Sequence, residues 1–253
     1  MSDYTPYEVI DAAETAEPVP GLVLVCDHAT NIVPPGIAPL GIPEADMARH
    51  IAWDVGAAGV TRGLAGTLGA KAVLSRFSRL VIDPNRGEDD PTLVMKLYDG
   101  TIIEGNRSVD AAEVERRLET LYRPYHAQVE AALDAAGPDP VLVSMHSYTP
   151  QLRGKSVRPW HIGLLWDRDD RLVVPLLDLL REEPDLFVGD NEPYSGQLAG
   201  DCMWMHGTQR GIPHVLVEIR NDLIEDAAGQ AHWVELMTPI LRAAIARMRS
   251  AAI

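Results

Sequence analysis

The chain has 253 residues, a hydrophobic fraction of 46% and a formal net charge of −15. That length supports one large domain with a substantial core or two small ones, while the acidic balance argues against nucleic acid and anionic membrane surfaces as partners. No apolar run reaches the length of a membrane span, and two cysteines, Cys26 and Cys202, build no disulfide framework, which fits a cytoplasmic protein with free thiols.

In chain order, residues 1–20 are acidic and contain proline, unlike a secretory or mitochondrial leader, and read as a surface arm ahead of a domain over 21–253. Leu22–Cys26 is a continuous apolar run, the pattern of a strand buried on both faces. From Pro43 to Leu68, the positions Met47, Ile51, Val55, Ala58 and Leu64 fall near helical spacing. Strands are expected at Ala72–Leu74 and Leu80–Ile82, followed by the polar, turn-rich loop Asp83–Pro91. Ser108 to Ala136 reads as a charged helix with Asp110 and Glu113 in capping-box spacing and a kink or split at Pro124. A strand runs from Val141 to Met145, and a long loop from Tyr148 to Pro159. A strand at His161–Trp166, a helix at Asp170–Arg181, strands at Leu186–Val188 and His214–Ile219, and a helix over Ala231–Arg247 complete the pattern. This alternation predicts an α/β fold: a single domain with a mixed, mainly parallel sheet flanked by helices.

The residues that attract attention are polar groups at the ends of apolar runs. His28 and His146 each follow such a run, so both imidazoles fall where open α/β sheets bind ligands, beyond the strand carboxyl ends. Neutral imidazole is the commonest protein ligand of zinc, and a catalytic zinc takes three protein ligands and a water. Glu218 interrupts the run His214–Ile219, and a carboxylate in a core strand needs a partner or a task. The alternatives are an ion pair with Arg220, on the same face at strand period two, or a general base. Asp83, Asn85 and Arg86 form a polar knot in which a guanidinium beside a carboxamide suits a substrate carboxylate. Arg79 and Arg158 are weaker versions of the same feature. Asp54, Asn31 and Asp27 are alternatives for a third metal ligand. No short His-x-x-His or Cys-x-x-Cys pair, P-loop, dinucleotide fingerprint or Gly-x-Ser-x-Gly elbow is present.

Several separated blocks carry a resemblance. They are Cys26–Asn31, Ser78–Arg86, Ser144–Pro150, Arg158–Gly163, Gly189–Tyr194 and Val217–Arg220, in order between about Val23 and Trp233. Together they resemble the N-formylglutamate amidohydrolase family, similar in fold to the zinc carboxypeptidases and aspartoacylases (phosphorylase/hydrolase-like). The resemblance implies one zinc ion held by His28 and His146, with Glu218 as general base and acid. It also implies that Asn85 and Arg86 hold a substrate carboxylate. The carboxypeptidase relatives use His-x-x-Glu, whereas Asn31 stands at that place here, and Asp54 is the preferred third ligand. Arg158 and Tyr194 join the substrate pocket if their loops converge. The expected activity is hydrolysis of N-formyl-L-glutamate or another small acidic N-acyl amino acid. The alternatives are a zinc hydrolase of short peptides and a non-catalytic metabolite-binding protein on the same scaffold.

Overall fold

The fold is described for residues 4–14 and 17–251 by a computed structural model. The N-terminal half contains β1 (Tyr7–Ile10), β2 (Leu22–Cys26), α1 (Glu44–Met47), α2 (Ala57–Leu68), β3 (Lys71–Ser75), β4 (Leu97–Tyr98), β5 (Thr101–Ile102), α3 (Ala111–Arg117) and α4 (Arg123–Asp134). The remainder contains β6 (Val141–Tyr148), β7 (Ile162–Leu165), α5 (Val173–Glu182), β8 (Val188–Asp190), α6 (Cys202–His206), β9 (His214–Arg220) and α7 (Ala227–Ala251). The main sheet has seven strands in the order β1-β3-β2-β6-β9-β7-β8, and β4 and β5 form a separate hairpin. β3, β2, β6 and β9 are mutually parallel, while β1 and β7 join antiparallel to β3 and β9. The mixed, mainly parallel α/β architecture is therefore the one the residue pattern predicts.

Two apolar layers sandwich the sheet, and strand alternation assigns residues to each. Leu22, Leu24, Val143, Met145, Val215 and Val217 face the layer shared with α2, α5 and α7. Val23, Val25, Leu142 and Leu216 face the other, with α4 and part of α6. By the same period-two alternation, His146 and Glu218 point to this second face. The site thus sits on the face that α4 and α6 cover.

Some elements differ from the sequence pattern. Tyr7–Ile10, within the expected arm, adds an edge strand paired with β3. The helical pattern over Pro43–Leu68 is broken: α1 ends at Met47, and the chain turns irregularly before α2. Gly56, at φ 82°, makes the entry to α2, and a Cβ there would meet the Ile224 carbonyl oxygen at 2.0 Å. Leu80–Ile82 is fully buried but forms no strand. Its carbonyl groups are satisfied by side chains instead: Asn106 Nδ2 donates to Leu80 O at 2.7 Å, and Arg117 Nη1 to Val81 O at 2.7 Å. The charged helix splits at a π-helical turn, Leu118–Tyr122, just ahead of Pro124. Its start is as expected, with Asp110 accepting from Glu113 N at 2.9 Å.

Candidate active site

Register builds the centre. In the parallel pairing of β6 and β9, His146 lies directly opposite Glu218. His28 follows the end of β2, the neighbouring strand on the other side of β6. Asp54 comes from the irregular turn before α2, anchored by its own N–H donating to His28 O at 3.0 Å. The two imidazole Nδ1 atoms converge on one Asp54 oxygen, at 3.3 Å for His28 and 2.7 Å for His146. All three residues are buried, and their donor atoms lie within 4.8 Å of one another.

Two further carboxylates stand behind the histidines. His28 Nε2 donates to Asp83 Oδ1 at 2.7 Å, and His146 Nε2 to Asp27 Oδ2 at 2.9 Å. Such outer carboxylates fix imidazole orientation and raise ligand basicity in metal sites. Asp83 is held in turn by a two-pronged contact from Arg79 Nε and Nη2, at 3.1 and 2.8 Å. Asp27 also accepts from Tyr125 Oη and Ser144 Oγ, each at 2.8 Å. Burial alone would raise the pKa of Asp27, Asp54 and Asp83, but hydrogen bonds and charge from His28, His146 and Arg79 hold all three below the usual carboxylate range. Burial disfavours the charged form of His146, yet its bonds to Asp27 and Asp54 outweigh this and raise its pKa.

Glu218 behaves differently. Among the described residues its Oε2 is buried with no hydrogen-bond partner, and burial pushes its pKa up to about 7, opposed by the charge of His146. The ion pair with Arg220 is not formed; Arg220 Nε donates to Asp222 Oδ1 at 2.8 Å. A carboxyl group of this kind can move a proton at neutral pH.

The residues open into a pocket of about 160 Å³, which His28, Asp54, Asn85, Arg86, His146, Tyr194 and Glu218 help to line. Asn85 Oδ1 accepts from Cys202 N at 3.1 Å, an arrangement that leaves its amide NH₂ as the group available to the pocket. Arg86 Nη1 donates to Asn85 O at 2.7 Å, which ties the guanidinium beside that amide. Arg158 stands behind the wall: it donates to Tyr194 Oη at 3.0 Å and lies 4.8 Å from the centre of the Tyr194 ring. Of the alternatives for a third ligand, Asn31 Nδ2 is committed to Met47 O at 2.9 Å, and Asp27 faces the far nitrogen of His146. Sequence reasoning passed over His50 and Asp201, both in the pocket wall. Burial raises the Asp201 pKa to about 7, while the carboxyl group caps α6 through Trp204 N at 2.7 Å. The Asp that precedes Cys202 was a readable N-cap signal.

Two imidazoles and a carboxylate are donors that suit zinc, whose tetrahedral ligands at about 2.0–2.2 Å stand roughly 3.4 Å apart. The His28–Asp54 separation of 3.3 Å matches this, and the His146–Asp54 separation of 2.7 Å would have to open. The donor set is the three-ligand type that leaves a coordination position for water or substrate.

Comparison with known proteins places this arrangement in a family. A crystal structure of a gene product from Agrobacterium tumefaciens superposes with a TM-score of 0.89 and 33% identity, covering 97% of both chains. The N-formylglutamate amidohydrolase from Ralstonia eutropha JMP134 shares the fold, at a TM-score of 0.74 and 24% identity over 98% of this chain and 100% of that one. An N-formylglutamate deformylase from Pseudomonas putida is 38% identical over 77 residues, a match spanning 26% of this chain and 29% of that relative's length. Residues 21–225, which carry every group of the site, match the model of the N-formylglutamate amidohydrolase family, and the chain belongs to that family.

Proposed function

We propose that this protein is a zinc-dependent hydrolase that cleaves the amide bond of a small acidic N-acyl amino acid, with N-formyl-L-glutamate as first substrate. The observation that carries this reading is Glu218: a buried carboxyl group with an unpartnered oxygen, set across one strand pairing from His146. Family membership supports the substrate class. His28 Nδ1, Asp54 Oδ2 and His146 Nδ1 are the atoms that would hold the ion. When bound, zinc supplies Lewis-acid activation of water and of the scissile carbonyl at neutral pH.

The remaining chemistry belongs to the chain. Glu218 takes a proton from the attacking water at Oε2 and returns it to the amide nitrogen as the C–N bond breaks, giving formate and L-glutamate. Burial, which raises the Glu218 pKa, favours its holding the proton between the two transfers. Arg86 and the Asn85 amide hold the substrate carboxylate, so the attack becomes effectively unimolecular. Tyr194, braced by Arg158, forms part of the pocket wall. Two unpaired cysteines support a reducing, cytoplasmic setting.

The test is formate release from N-formyl-L-glutamate by the purified chain, before chelation, after it, and with zinc restored. Formate that falls on chelation and returns with zinc is the expected result. Zinc bound without formate, but with turnover of another N-acyl amino acid or short peptide, moves the substrate. Zinc bound with no turnover of any amide overturns the hydrolase reading in favour of a binding protein.

A further inference from the structure

A second set of donor atoms lies behind the wall of the pocket. α6 presents Cys202 and His206 four residues apart, which brings both side chains to one helical face. α4 presents His126 to the same place. His126 Nδ1 and His206 Nε2 are 2.9 Å apart, with their rings stacked at 19°. With Cys202 they supply three donors within 4.8 Å of one another, and the residues are 8%, 6% and 0% exposed in the order His126, His206, Cys202. None of the three lines the active-site pocket.

Packing alone explains this cluster poorly. Two imidazole nitrogens at 2.9 Å share a single N–H, and among the described residues the other nitrogen of His126, Nε2, is buried with only the Pro84 carbonyl near it and no hydrogen bond of good geometry. Buried polar atoms are almost always paired, and an apolar side chain at either position would avoid the cost. The donor types also exclude the hard cations, which take oxygen ligands. Thiolate and imidazole together select zinc or another soft to borderline divalent ion.

We propose that His126, Cys202 and His206 form a second metal site, distinct from the His28–Asp54–His146 centre and taking zinc or a chemically similar ion. His126 Nδ1, His206 Nε2 and Cys202 Sγ are the ligand atoms. The ring that carries the shared proton passes it to its own other nitrogen, the Cys202 thiol releases its proton to solvent, and the two nitrogens separate from 2.9 Å to about 3.3 Å. A fourth position falls to water.

The ion has a positioning role, because α6 is built into the pocket wall. Met203 and Trp204 line the pocket, and the Cys202 N–H holds Asn85 at 3.1 Å. The Cys202 thiol also lies against Asp27, which supports His146 from the active-site side. Anchoring Cys202 and His206 to α4 therefore fixes two supports of the active site at once.

The test loads the full chain, stripped by chelation, with cobalt(II) alone and separately with zinc alone. Thiolate-to-cobalt charge-transfer absorption is recorded, and bound zinc is counted after gel filtration. Wild type is expected to bind two zinc ions and show the thiolate band. Cys202→Ser and His126→Gln should each bind one and lose the band, with Cys26→Ala keeping it. Asp54→Asn should bind one and keep the band, which separates this site from the catalytic one. One zinc ion and no thiolate band in wild type overturns the proposal while leaving the catalytic reading intact. Folding of each variant is checked by circular dichroism, and His126→Gln serves if Cys202→Ser fails to fold.

Discussion

Replacing Glu218 with glutamine tests the chemistry and the electrostatics of the site together. The substitution keeps shape and burial but removes the ionisable group. Loss of general acid–base catalysis costs about 10²- to 10⁴-fold in rate, and in the proposed mechanism one residue serves both proton transfers, so kcat should fall toward the upper end. The same change acts oppositely on stability. Burial lifts the Glu218 pKa from 4.5 to about 7, and at about 1.4 kcal/mol per unit this displacement withholds roughly 3 kcal/mol once the group ionises. Because the folded pKa lies above the unfolded one, the stability is fully present below pH 4.5 and is lost as pH rises through about 7. Glutamine undergoes no such loss. In chelated protein, Glu218→Gln should therefore match wild type near about pH 4 and exceed it at about pH 8. The excess corresponds to roughly 6–12 °C in Tm for a chain of this size. Formate release gives the first quantity and calorimetry at the two pH values the second. Activity within tenfold of wild type, or a stability difference that does not grow with pH, would refute the reasoning.

Other substitutions test separate parts of the site and fold. Asp83→Asn removes the charged partner of His28 Nε2 and should weaken zinc binding about 10- to 100-fold in a chelator-competition assay, without loss of the fold. Arg86→Ala should raise KM for N-formyl-L-glutamate by about 10- to 100-fold with a smaller effect on kcat, the worth of one charge-assisted contact. Asp201→Asn keeps the cap on α6 and should change kcat by less than about tenfold, since the proposed proton carrier is Glu218 rather than this group. Asn106→Ala strands Leu80 O and Met95 O in the core and removes one of the two acceptors of Arg117 Nη1, which keeps Val81 O, and should cost about 3 kcal/mol or more in urea unfolding.

Much of the site's position was legible because strands announce themselves as apolar runs, and polar exceptions stand out against them. His28, His146 and Glu218 are such exceptions, and the structure brings them together with Asp54, the preferred third ligand. Asp54 was harder to read because it sits in a stretch whose apolar residues keep helical spacing while the backbone leaves the helix. Leu80–Ile82 was misread for a different reason. A short apolar run fits a buried loop as well as a strand, and the decision rests with Asn106 and Arg117, far along the chain. The supporting roles of Asp27 and Asp83 were equally hidden, since each is defined by an imidazole from another segment. α6 escaped because a helix of five residues leaves almost no periodic signal.

The site distributes its buried carboxyl groups between two tasks by environment alone. Asp27, Asp54 and Asp83 each face an imidazole or guanidinium, and those partners hold them ionised against the cost of burial. Glu218 and Asp201 lack such a partner, and burial raises both to about 7. Under the proposed function, groups pushed apart in this way divide into fixed charges on one side and candidate proton carriers on the other. Between the two carriers the strand register decides. Asp201 is tied to the first turn of α6, whereas Glu218 lies opposite His146 with a free oxygen. A slip of one residue in the β6–β9 pairing would turn Glu218 into the apolar layer beneath the sheet and bring Val217 to the site. The register that Val215, Val217 and Ile219 enforce by burying one face is therefore also what holds Glu218, the proposed general base, on the other.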